Sequence, residues 1–91
     1  MKKLYEFSFT EYNGGQEYSE SRLVHAHNIV EAEHKAMTYL STWYDDDDVV
    51  EEDGRFEFFC GDIVVEYNGI CEIRRLKQWS ERQFKENLIG E

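Results

Sequence analysis

A single α+β domain is the fold class that the 91-residue sequence predicts: a small antiparallel sheet, one main helix packed on one face and a short C-terminal helix. Three observations lead to it. Alternating apolar and polar residues open the chain and return after its midpoint. One stretch between these segments repeats its apolar residues every three or four positions. Glycine-containing pairs punctuate the alternating segments, while proline, internal repeats and linker-like composition are absent, so residues 1–91 read as one domain.

From Leu4 to Tyr12, Tyr5, Phe7 and Phe9 point one way and Glu6, Ser8 and Thr10 the other, the pattern of a half-buried strand. Asn13-Gly14 suits a type I′ turn because both residues tolerate positive φ. A turn on that pair places Phe9 opposite Tyr18 and Tyr5 opposite Arg22, with a second strand from about Gln16 to Ala26. Asn28, followed three residues later by Glu31, forms a capping box that starts a helix at Ile29. Ala32, Ala36, Tyr39, Leu40 and Trp43 make its buried stripe, with Glu31, His34, Lys35, Thr38 and Ser41 mainly opposite.

Residues 45–53, DDDDVVEED, then read as a loop closed by Gly54. Arg55–Cys60 and Ile63–Tyr67 read as strands around a Gly61-Asp62 turn, and Ile70–Leu76 as a further strand. Asn68-Gly69 is either a second tight turn or a bulge in one longer strand. Ser80 with Gln83 forms a capping box, and Trp79 with Phe84 a hydrophobic staple, for the last helix. The expected order is ββαββ(β)α.

Six Phe, six Tyr and two Trp supply a real core. A chain this short buries only about 60 to 65% of its unfolded surface, which disfavours a large internal active-site cavity. No window approaches the roughly 18 apolar residues of a membrane span, and the opening MKKLYEFSFTEY turns polar too early for a signal peptide. The expected location is cytoplasmic, with Cys60 and Cys71 as reduced, part-buried strand residues.

Charge is the outlying property: 20 acidic residues against 10 basic ones give a net charge of −10. Direct binding to nucleic acid or an anionic membrane would bring like charges together, so the expected partner is a basic or nucleic-acid-binding protein. The acids are gathered, with 12 between Glu31 and Glu66 against only Lys35 and Arg55. Asp45, Asp46, Asp47, Asp48, Glu51, Glu52 and Asp53 form the densest part and are the candidate partner-binding residues. Four Asp after a helix oppose its dipole, so they do not serve helix stability. If the nine residues were extended over about 30 Å, their carboxylates would stand roughly 4 Å apart, near the charge rise of a DNA strand.

In size and charge the chain resembles the small acidic α+β proteins of phages and mobile elements that inhibit restriction or CRISPR enzymes, a resemblance of composition. It implies a DNA mimic that blocks a basic nucleic-acid-binding site.

Other chemistries find less support. An EF-hand begun at Asp45 has Val50 where Gly belongs, and one begun at Val49 has no first ligand. His25, His27, His34, Cys60 and Cys71 are zinc-ligand types without C-x-x-C or H-x-x-x-H spacing, and they mark no oxyanion-forming turn for a Cys-His nucleophile. No phosphate-binding glycine loop occurs, and the many carboxylates single out no catalytic pair. No catalytic residue, metal or cofactor is therefore assigned, and the protein is expected not to be an enzyme. Arg74, Arg75, Lys77, Arg82 and Lys85 make the C-terminus mildly basic, and pairing with nearby acids such as Glu72, Glu81 and Glu86 accounts for them. Two function classes remain. One is a non-enzymatic binding or inhibitor protein using an acidic face; the other is a small accessory or structural domain, a homodimer along a sheet edge in one form, whose charge serves only solubility.

Overall fold

The computed structural model describes residues 2–74 and 81–90. Strands β1 (Lys3–Asn13) and β2 (Gln16–Ala26) form a long hairpin. Its turn falls on Gly14-Gly15, with φ of 60° and 81°, and Asn13 stays in the ladder opposite Gln16. Two glycines fill both left-handed positions without a Cβ penalty, which an Asn-Gly turn would not achieve at Asn13. The expected register is therefore corrected by two residues: Phe9 faces Glu20 and Tyr5 faces Val24. A two-residue shift keeps every side chain on its expected face.

Helix α1 (Ile29–Ser41) starts where its cap predicts, with the Glu31 N–H donating to Asn28 Oδ1 at 2.9 Å. The reciprocal half of the box takes another form, since the Glu31 carboxylate pairs with His27 and Lys35. Ala32, Ala36 and Leu40 are fully buried, and Tyr39 and Trp43 pack at the margin.

The remaining elements are β3 (Val50–Glu52), β4 (Arg55–Phe58), β5 (Ile63–Ile73), α2 (Glu81–Asn87) and β6 (Leu88–Ile89). The observed order, ββαβββαβ, adds β3 and β6 to the expected one. The sheet has six strands in the order β3-β4-β5-β1-β2-β6, and β6 runs parallel to β2, so the sheet is mixed and not wholly antiparallel. Asn68-Gly69 is a bulge: Phe9 pairs with Tyr67 and Ser8 with Gly69, leaving Asn68 extra in one continuous β5. β5 ends at Ile73, and positions 75 and 76 of the expected strand Ile70–Leu76 lie outside the described residues. β4 stops at Phe58 because Phe59, Cys60 and Gly61, with φ of 54°, 59° and 90°, turn the chain. The expected capping box at Ser80 and Gln83 and the Trp79 half of the staple lie outside the described residues.

The core sits between α1 and one face of the sheet. Tyr5, Phe7, Phe9, Val24, Phe56, Phe58 and Val65 pack there under the alanines and Leu40 of α1. Each fully buried Phe contributes roughly 1.5–3 kcal/mol of transfer free energy. The other face carries Glu6, Ser8, Thr10, Ser19 and Ser21, all from the alternate positions of β1 and β2. Towards β2 it is part-covered by α2, whose Phe84 ring lies 6.3 Å from that of His25. No helix among the described residues is long and apolar enough to cross a membrane.

Candidate functional site: the acidic face

The acidic tract is folded, not extended. α1 ends at Ser41, and Asp45–Val49 then makes a compact turn organised by Asp46. One Asp46 carboxylate oxygen accepts the Asp48 N–H at 3.0 Å, and the other accepts the Phe59 N–H from the β4–β5 turn at 2.7 Å. The Asp46 carbonyl also accepts from the Val49 N–H. Asp46 thus ties the tract to a neighbouring turn in which two of the three left-handed residues, Phe59 and Cys60, are not glycine.

Val50, Glu51 and Glu52 next pair with Glu57, Phe56 and Arg55 as an edge strand. The tract reverses at Asp53-Gly54, φ 50° and 83°, a type I′ pair in which Asp tolerates the left-handed position. Glu51 accepts the Gly54 N–H at 2.9 Å. Gly54 is buried, and a Cβ there would meet the Tyr67 Cβ at 3.4 Å.

The seven candidate acids therefore divide. The Asp46 and Glu51 carboxylates are engaged with backbone N–H groups. Asp45, Asp47, Asp48, Glu52 and Asp53 are exposed, and among the described residues none of them forms a salt bridge. The even ladder of charges expected along nine extended residues is replaced by a turn, a short strand and a second turn. On β4 and β5 the neighbouring acids are partly neutralised, since Arg55 reaches Glu66 at 2.9 Å and Glu57 at 3.8 Å.

A second acidic group escaped the reading of the sequence. Glu11 is only 7% exposed, on the core-facing side of β1, where it accepts from Trp43 Nε1 at 3.2 Å, from the Tyr44 hydroxyl and from Asn13 Nδ2 at 3.3 Å. The Glu11 bond holds the Tyr44 phenol above its ordinary pKa. The signal was present: Tyr5, Phe7, Phe9 and Glu11 share one strand parity. Glu11, Glu17, Glu20, Tyr18 and Tyr44 line an open concavity, and Tyr44 joins it in sequence to Asp45. Arg22 stands next to it, paired with the lining residue Glu20. The guanidinium stands 5.5 Å and 5.3 Å from the ring centres of Phe9 and Trp43, pairs with Glu20 at 3.0 Å and donates to the Tyr39 hydroxyl.

The histidines and cysteines are dispersed. His27 pairs with Glu31, His25 packs on Phe84, and among the described residues no three His, Cys, Asp or Glu groups converge as a metal site. Both thiols are free and exposed, correcting the expectation that they are part-buried. Cys60 falls in the β4–β5 turn, and Cys71 lies on the sheet face turned away from α1. Arg74, just past the end of β5, pairs with Glu72 at 3.7 Å, while Arg75 and Lys77 lie outside the described residues. Comparison with protein-family models, curated proteins and solved structures yields no match to this chain.

Proposed function

We propose that the protein is a non-enzymatic binding protein whose acidic face occupies a basic, nucleic-acid-binding site on another protein, in the manner of an inhibitor. One observation carries this reading. Asp46 and Glu51 anchor the tract to the fold, so the exposed carboxylates of Asp45, Asp47, Asp48, Glu52 and Asp53 form a preorganised surface. Preorganised charge steers association and loses little freedom on binding, whereas a solvated acidic tail must be ordered first.

The folded tract also bears on which carboxylates to neutralise. Asp45→Asn, Asp47→Asn, Asp48→Asn and Glu52→Gln together remove surface charge while leaving Asp46 and Glu51 to hold the loop. Proteins retained from host lysate by wild type and variant are compared at low and high salt, with and without excess duplex DNA. The reading expects a nucleic-acid-binding protein that DNA displaces and that the variant fails to retain. Equal retention by the variant, or no such partner, overturns it.

A second reading draws on the position of β3. It is an edge strand, and acidic side chains on an edge discourage pairing with other chains. On this reading the protein is an accessory domain, and the neutralised variant loses no partner but aggregates more readily.

A further inference from the structure

We infer that the C-terminal half of β5 is a dimerisation edge, on which a second copy of the chain adds its own β5 in antiparallel register. The inference does not depend on the role of the acidic face. β4 covers only part of β5, pairing from Phe58 opposite Ile63 to Arg55 opposite Glu66, and among the described residues the Tyr67 N–H donating to the Gly54 carbonyl at 2.8 Å is the last backbone bond on that side. Beyond it, Gly69–Ile73 pairs with β1, and among the described residues no strand lies on the other side. An edge of this length with backbone groups unpaired is a template for strand addition.

Strand parity fixes which groups face outwards. Because Tyr67 bonds to the β4 side, its β1 neighbour Phe9 belongs to a pair that does not exchange hydrogen bonds, and the even residues of β1 point to β5. Ser8, Glu6 and Leu4 then bond Gly69, Cys71 and Ile73, leaving the N–H and C=O groups of Ile70 and Glu72 directed at the open edge.

This edge is self-complementary. A twofold axis at Cys71 sets Ile70 of each copy against Glu72 of the other, each pair exchanging both its N–H and its C=O. Beside the edge, α1 exposes Ile29 (50%) and Val30 (76%). Val30 stands one turn before Glu33, whose carboxylate accepts the Tyr67 hydroxyl, so it lies along the uncovered half of β5. In the joint sheet both copies of α1 share one face, and these apolar side chains cover each other.

Charge disfavours the β3 edge more than this half of β5. The twofold carries the two β4 strands about twelve strand rises apart, roughly 40 Å, several screening lengths at physiological salt. Pairing through β3 would instead oppose Glu51, Glu52 and Asp53 to their own copies at close range.

The test uses the full chain. Size-exclusion chromatography with light scattering is expected to give twice the 10.9 kDa chain mass. Glu72→Pro blocks only the outward edge, because the Glu72 N–H is not bonded to β1, and should give a monomer with unchanged far-UV circular dichroism. Val30→Glu, at a site too exposed to affect folding, should weaken the dimer independently.

Cys71 reports the register. Opposed residues in a pair without mutual hydrogen bonds have Cα atoms about 4.5 Å apart, inside the usual disulfide range of about 4.4–6.8 Å. With an added oxidant, Cys60→Ser should cross-link efficiently and Cys71→Ser should not, although both remain dimers. A monomeric wild type overturns the inference, as does an Ile70 or Glu72 amide that exchanges with solvent freely while that of Cys71 is protected. A dimer that survives both Glu72→Pro and Val30→Glu places the interface elsewhere and overturns it equally.

Discussion

Asp46→Ala should unfold the protein far more readily than the same change at Asp47, one residue away in the same acidic run. The Asp46 carboxylate accepts two backbone N–H groups, from Phe59 at 2.7 Å and Asp48 at 3.0 Å, and the first holds a bulky residue at φ 54°. Hydrogen bonds to a charged group contribute about 1.5–3 kcal/mol each when well shielded, and partial exposure reduces them, so the pair is worth about 2 kcal/mol. Asp46→Asn keeps one acceptor and should lose about half of that. Asp47 is exposed and bonded to nothing among the described residues, so Asp47→Ala should fall within about 0.5 kcal/mol of wild type. In thermal unfolding of a domain this size, 2 kcal/mol corresponds to a drop of roughly 8–16 °C in Tm. Urea denaturation with unchanged slope supplies the free energies directly. If Asp46→Ala and Asp47→Ala lie within about 0.5 kcal/mol of each other, the tract is not anchored as described, and the case for a preorganised acidic surface falls with it.

Three further outcomes are expected. Glu11→Ala leaves the Trp43 N–H and Tyr44 hydroxyl without their acceptor and should cost about 2–4 kcal/mol in urea, whereas Glu11→Gln retains an acceptor and should cost clearly less. Gly54→Ala forces a side chain to φ 83° against Tyr67 and should cost roughly 1–2 kcal/mol, measured the same way. Burial and Glu33 raise the Tyr67 pKa well above its ordinary value of 10.0. A raised native pKa gives stability that is complete below the unfolded value and is lost as pH rises from there through the native value, so stability should decline above about pH 10 and Tyr67→Phe should flatten that decline.

The main elements were legible because their signals were local. Asn28 and Glu31 marked the start of α1, and the alternation of Tyr5, Phe7 and Phe9 marked the buried face of β1. What escaped depended on partners distant in sequence. β6 is two residues long and exists through parallel pairing with Leu23 and Val24, which no local pattern encodes. β3 was hidden because Val50-Glu51-Glu52 lacks the apolar alternation of a half-buried strand; an exposed edge imposes none, although Asp53-Gly54 was a hairpin signal. In the candidate site the composition identified the acidic run but could not distinguish Asp46 from its neighbours. Four consecutive aspartates look alike until Phe59, thirteen positions on, turns its N–H to one of them.

The bulge at Asn68 makes β5 two strands in opposite phase. Before it, Val65 and Tyr67 point to α1; after it, Ile70 and Glu72 do. Losing that single residue would leave Tyr67, Gly69 and Ile70 opposite Phe9, Ser8 and Phe7 in plain alternation. Keeping it and pairing it into the ladder would instead exchange inside and outside downstream, sending Cys71 and Ile73 towards the helix and Ile70 into water. An alanine at the same position would keep the bulge but remove the hydrogen bond that Asn68 Nδ2 donates to the buried Thr10 Oγ1 at 2.8 Å. The residue left out of the ladder is what lets the odd-numbered face before it continue as the even-numbered face after it.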